Sequence, residues 1–158
     1  MISKKMTSAT LALLIPITLL LSGCTAAGKD APTSKVRQVT DGVEKDSGSL
    51  KLRNFTLIAQ PDGSAVLVGT VVNEDVISDA ITSISANGIK AVITGTVALE
   101  QNSPAIFSGD SANAHAAFPG LNLTPGRRAV VTVAFGKANS VVFSVLIREK
   151  ADIFANVA

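Results

Sequence analysis

The chain has 158 residues, 14 basic and 12 acidic side chains, one Cys, one His, and neither Trp nor Tyr. Lys4 and Lys5 fall in a leading segment, and without them the charges balance at 12 to 12, which excludes the basic footprint that nucleic acid or an anionic membrane surface requires. A single Cys excludes an internal disulfide framework and a thiolate metal cluster, and the missing Trp and Tyr remove the usual platforms for stacking sugars or bases.

Residues 1–23 read as a targeting segment. Lys4 and Lys5 give its positive start, and Leu11–Leu21 (LALLIPITLLL) is its apolar core. That core is shorter than the roughly 20 apolar residues a membrane span needs, and Pro16 interrupts it. Leu21-Ser22-Gly23-Cys24 follows directly and resembles the lipobox of bacterial lipoproteins. Small side chains at Ser22 and Gly23 let an extended backbone enter a signal peptidase. The Cys24 thiol is then expected to take a diacylglyceryl group through a thioether and to become the new N-terminus. A second acyl chain makes such an anchor stable, at roughly 0.8 kcal/mol per buried CH₂. The expected location is extracytoplasmic, lipid-anchored to the bacterial cell membrane.

Residues 24–48 are small, charged and turn-forming, with almost no apolar period. They read as a linker that spans about 5–6 Å times the square root of its length. From residue 49 the texture changes to short apolar runs split by turns. Leu50–Ala59 alternates, with a phase change between Leu52 and Phe55 that predicts a bulge. Pro61-Asp62-Gly63 is a turn. Ser64–Asn73 (SAVLVGTVVN) is apolar on both faces, as a central strand is. Asp79–Ala86 runs into Asn87-Gly88, a strong hairpin signal. Ile89–Leu99 is expected as one strand with Ile89, Ala91, Ile93, Val97 and Leu99 on one face. Residues 102–123 are less regular, with short pieces near Ile106-Phe107 and His115–Phe118, and Pro125-Gly126 is a turn. Arg127–Phe135 and Ser140–Ile147 alternate cleanly and are joined by Gly136–Asn139. About seven strands at such spacing, with no amphipathic helix, predict an all-β antiparallel β-sandwich over residues 49–150. Residues 151–158 read as a C-terminal tail that packs through Ile153 and Phe154.

Reactive side chains are sparse. There is no G-x-S-x-G elbow and no phosphate-binding glycine loop. Glu74-Asp75 sits at a turn. Asp110 and Ser111 precede His115, but sequence adjacency does not make a triad. No catalytic residue is assigned, and the chain is not expected to be an enzyme.

The run Val66–Ile147 resembles the PCu(A)C-type periplasmic copper chaperones. Ala65–Ala86 (AVLVGTVVNEDVISDAITSISA) matches that family's opening strand, polar break and second strand, and Leu123–Ile147 its closing hairpin. The resemblance implies a cupredoxin/immunoglobulin-like sandwich and a copper site. The family's site draws a His and a Met from an earlier hairpin and a His-x-Met pair from a later strand that runs on to Met-Gly-Leu. His115 and Gly120-Leu121 match that later strand, but Ala117 stands in place of the ligand Met and Pro119 in place of the second Met. The earlier hairpin, 89–100, holds neither His nor Met, and the chain's methionines are Met1 and Met6. Cu(I) is soft and wants sulfur, so His115 is the one candidate metal ligand and no cofactor is expected.

Two functions follow. The chain is either a non-catalytic binding or structural lipoprotein module that has lost the metal site, or a copper-binding chaperone of the cell envelope that combines His115 with a ligand supplied by a partner. Partners would then be the membrane, through Cys24, and an envelope protein met by an edge strand or by the loops of residues 102–121. A Cys24→Ser variant is expected to leave the membrane fraction and to lose incorporation of labelled palmitate; unchanged membrane association would refute the anchor.

Overall fold

A computed structural model describes residues 42–158. The leading segment, the motif Leu21, Ser22, Gly23 and Cys24, and the linker through residue 41 lie outside the described residues.

The described residues form eleven strands: β1 (Val43–Ser47), β2 (Leu50–Ala59), β3 (Ala65–Asn73), β4 (Asp79–Ala86), β5 (Ile89–Lys90), β6 (Val92–Gly95), β7 (Ala98–Leu99), β8 (Ala105–Ile106), β9 (Ala114–Phe118), β10 (Arg128–Phe135) and β11 (Val141–Glu149). One sheet runs β6-β9-β3-β2 and the other β5-β4-β10-β11. They join at β11, whose first residues pair antiparallel with β10 while Ile147–Glu149 run parallel to Leu57–Ala59 of β2. The fold is the expected all-β sandwich, and seven of its strands (β1–β4 and β9–β11) have five residues or more.

The valine-rich run became the central strand that its two apolar faces require. β3 pairs with β2 on one side and with β8 and β9 on the other. Leu67 and Val71 point into the main core, whereas Val66 and Val68 belong to a second apolar cluster on the outer face. The phase change in β2 is a bulge between Arg53 and Thr56, with Asn54 at φ 56°. Asn tolerates that left-handed conformation better than most residues. The bulge lets both Leu52 and Phe55 point inward. Asn87 and Gly88 both take positive φ, at 47° and 85°, as a two-residue I′ hairpin demands.

Three local expectations need correction. First, residues 43–47, read as linker, are β1, which pairs with β2 through a turn at Gly48 (φ 59°). Its sequence VEKDS is charged because it lies at the surface, where Asp46 accepts hydrogen bonds from Arg53 (2.6 Å) and Lys51 (3.2 Å). Secondly, 89–99 is not one strand. β5 extends the end of β4, β6 crosses to β9 in the other sheet, and β7 returns to the start of β4. The chain bends at Gly95 (φ 83°), where a Cβ would lie 2.3 Å from the Asn113 main-chain oxygen. Of the five residues expected to share one face, Leu99 alone is buried, and Ile89 and Val97 are 40% and 36% exposed. Thirdly, residues 151–158 pack through Phe154 and Val157, not Ile153, which is 82% exposed.

Inside the sandwich the Phe55 ring meets Phe143 edge-on, with centroids 5.4 Å apart at 77°. Phe55 also lies against Gly69, where an added Cβ would stand 2.7 Å from a ring carbon. Overpacking of this kind costs about 1–3 kcal/mol. Gly69→Ala is therefore expected to lower the stability of the domain by that amount, read from the urea midpoint at unchanged slope.

Candidate functional site around His115

Strand alternation decides where the lone histidine points. Ala114, Ala116 and Phe118 of β9 are buried in the core, which turns His115 and Ala117 to the outer face. Register with β6 sets Thr94 opposite His115 and Val92 opposite Ala117. These four side chains therefore share one patch of the sheet surface. The adjoining loop is held by Asn113, whose side chain accepts from the Ile106 N–H (2.8 Å) and donates to the Pro104 carbonyl (2.9 Å). Its main-chain oxygen accepts from the Thr96 N–H (2.8 Å).

His115 is half-buried, and its Nε2 lies 2.7 Å from the main-chain oxygen of Ala158. That oxygen only accepts, so Nε2 is the donor of this bond. Asp110 and Ser111 are exposed, and neither is a hydrogen-bond partner of His115 among the described residues. The sequence neighbours thus do not assemble into a base-and-nucleophile pair. Downstream, Gly120 turns the chain at φ 66° and Leu121 is buried in the core, so this matching pair has a structural place.

The donor set does not fit copper. Among the described residues no group of three or more His, Cys, Asp or Glu side chains could hold a metal ion. Residues 42–158 contain neither Cys nor Met. Beside the imidazole the shared patch offers one hydroxyl, from Thr94, and the apolar Val92 and Ala117. A soft ion needs sulfur, and a tight site needs three or four protein ligands.

The opposite end of β4 holds polar side chains that the sequence reading passed over. Asn73 is 1% exposed. It donates to the carbonyls of Ile77 (2.8 Å) and Leu99 (3.0 Å) and accepts from the Asp75 N–H (2.9 Å). Asp79 accepts from the main-chain N–H groups of Ala80 (2.7 Å), Lys137 (2.9 Å) and Ala138 (2.8 Å), which ties the β10–β11 loop to β4. The available signal was the cluster Asn73-Glu74-Asp75 followed by Ser78-Asp79, residue types that bond nearby main chain.

No protein-family model matches the chain, and no curated protein matches it significantly. Solved structures do. The apo PCuAC domain from PmoF1 superposes with a TM-score of 0.59 at 24% identity, over 68% of this chain and 99% of that one. The copper-bound PCuAC domain from PmoF2 gives 0.59 at 20% identity, over 68% and 98%, and the apo PmoF2 domain 0.58 at 18%, over 70% and 98%. The sandwich has the PCuAC fold. At these identities the likeness is one of fold, and it spans nearly the whole of each neighbour.

Asp79 provides a pH test of the loop anchor. Partial burial works to raise its pKa, but the N–H bonds from Ala138, Ala80, Lys137 and Gly136 outweigh it and hold the carboxyl below its ordinary value. A folded pKa below the unfolded one, about 3.9, stabilises the protein above that pH, and the gain disappears as pH falls through the folded pKa. Asp79→Asn is expected to cost about 1–2 kcal/mol at pH 7. The difference from wild type should shrink steadily below about pH 4, as urea unfolding at pH 7 and at acid pH would record.

Proposed function

We propose that this chain is an extracytoplasmic lipoprotein, anchored to the bacterial cell membrane through Cys24, whose copper-chaperone-like sandwich is a non-catalytic binding or structural module without a working metal site. The observation that carries this reading is the outer face of β9. His115 stands there with Ala117, Thr94 and Val92, without sulfur, and its Nε2 proton is already given to Ala158. The charge balance of the chain beyond residue 23 fits a domain that meets proteins rather than nucleic acid. Its partner would be an envelope protein.

A second reading is favoured by one specific feature. Nδ1, for which no hydrogen bond is found among the described residues, is a competent single ligand when unprotonated, and a neighbour of the same fold is a copper-bound domain. In that reading a partner completes the site and the chain delivers copper in the cell envelope.

Titration of this chain alone tests the first reading. The Cys24→Ser protein, freed of its anchor and its thiol, is expected to take up neither Cu(I) nor Cu(II) stoichiometrically at micromolar concentration. Tight binding of one ion per chain that His115→Ala abolishes would overturn the first reading.

A further inference from the structure

The outer face of β2 and β3 bears Ile58, Val66 and Val68, three apolar side chains that are buried although they point away from the main core. What covers them is the closing segment, residues 151–158. Val157 is 9% exposed and sits on this strip, with Phe154 packed beside it. The segment adds no strand to either sheet; it forms one 3₁₀ turn, Asp152–Phe154, that has no buried residue. Side chains from the sheet hold it. Gln60 Nε2 donates to the Val157 carbonyl (3.3 Å), His115 Nε2 donates to Ala158 (2.7 Å), and Arg148 lies over the Phe154 ring at 6.0 Å.

We propose that residues 151–158 are a releasable strap, caught by His115, that closes over the apolar strip of Ile58, Val66 and Val68. Its attachment is light for the surface it hides. Among the described residues it rests on one buried side chain, one half-buried ring beneath Arg148 and two side-chain hydrogen bonds, while its main-chain bonds, Ala151 N–H to Glu149 (2.9 Å), Phe154 N–H to Ala151 (2.9 Å), Ala155 N–H to Asp152 (3.2 Å) and Val157 N–H to Phe154 (3.1 Å), are local. Segments with few buried apolar contacts and local hydrogen bonds open at far lower free energy than the sheets beneath them. Opening frees the His115 ring and three apolar side chains on the same face at once. A ligand that needs either of them binds the open form only, and shifts the population toward it by its differential affinity. The strap thus gives His115 a role that does not depend on whether the domain handles copper.

Native-state amide exchange on the full chain tests this. In the wild type, the amides of Ala155 and Val157 should exchange through an opening at least about tenfold more populated than the one that exposes β3 and β10. His115→Ala and Val157→Ala should each speed exchange in the strap by about five- to tenfold or more. The same variants should leave the protection of β3 and β10 amides and the urea midpoint close to wild type. Strap amides that exchange only with global unfolding would overturn the proposal, as would a His115→Ala variant whose strap and core lose protection in equal proportion.

Discussion

β3 is apolar on both faces, and the rest of the structure answers to that constraint. A strand of this kind is stable only if each face is taken out of water. The inner face is met by the second sheet, through Val131, Val133, Val145 and their neighbours in one continuous core. Among the described residues the outer face has no sheet above it. It is covered instead by a short segment from the far end of the chain, which is where Val157 and Phe154 find their contacts. The placement of His115 follows from the same geometry. β9 pairs with β3, its alternation turns His115 outward, and the ring meets the segment that covers the strip.

This placement gives the imidazole a use without metal chemistry. Two residues on from His115 the outward position of β9 is Ala117. An alanine leaves a shallow, apolar position two residues from the ring. Thr94 across the register adds only a hydroxyl. Around His115, the outward-facing strand and the turn at Gly120 carry the donors of an ordinary sheet surface.

Much of this architecture was legible as period-two patterning. β10 and β11 show it plainly, because each has one face in the core and one toward solvent. The bulge at Asn54 was visible as a change of phase, and Asn87-Gly88 as a turn whose two residues accept positive φ. What escaped were the elements whose reason to exist is non-local. β1 is charged and edge-like, so nothing in VEKDS advertises a strand. Residues 89–99 alternate well enough to suggest one strand, yet the chain crosses to the other sheet after Lys90 and turns away again after Gly95, where the close approach of Asn113 leaves no room for a Cβ. Asn73 and Asp79 looked like loop polarity and proved to be anchors for main-chain groups distant in sequence. The candidate site was half legible. The sequence singles out His115 and the missing methionines, but the bond to Ala158 spans 43 residues and has no local signature.

We propose that the His115 ring is committed to the closing segment and not to a metal. Its ring nitrogens report this directly. In a ¹⁵N spectrum of the Cys24→Ser protein, the His115 Nε2 should be the hydrogen-bonded N–H, and one equivalent of Cu(I) should leave both ring resonances in place. A ring whose nitrogen signals move or broaden with one equivalent of copper, with the Nδ1 or Nε2 shift of a metal-bound imidazole, would contradict the account.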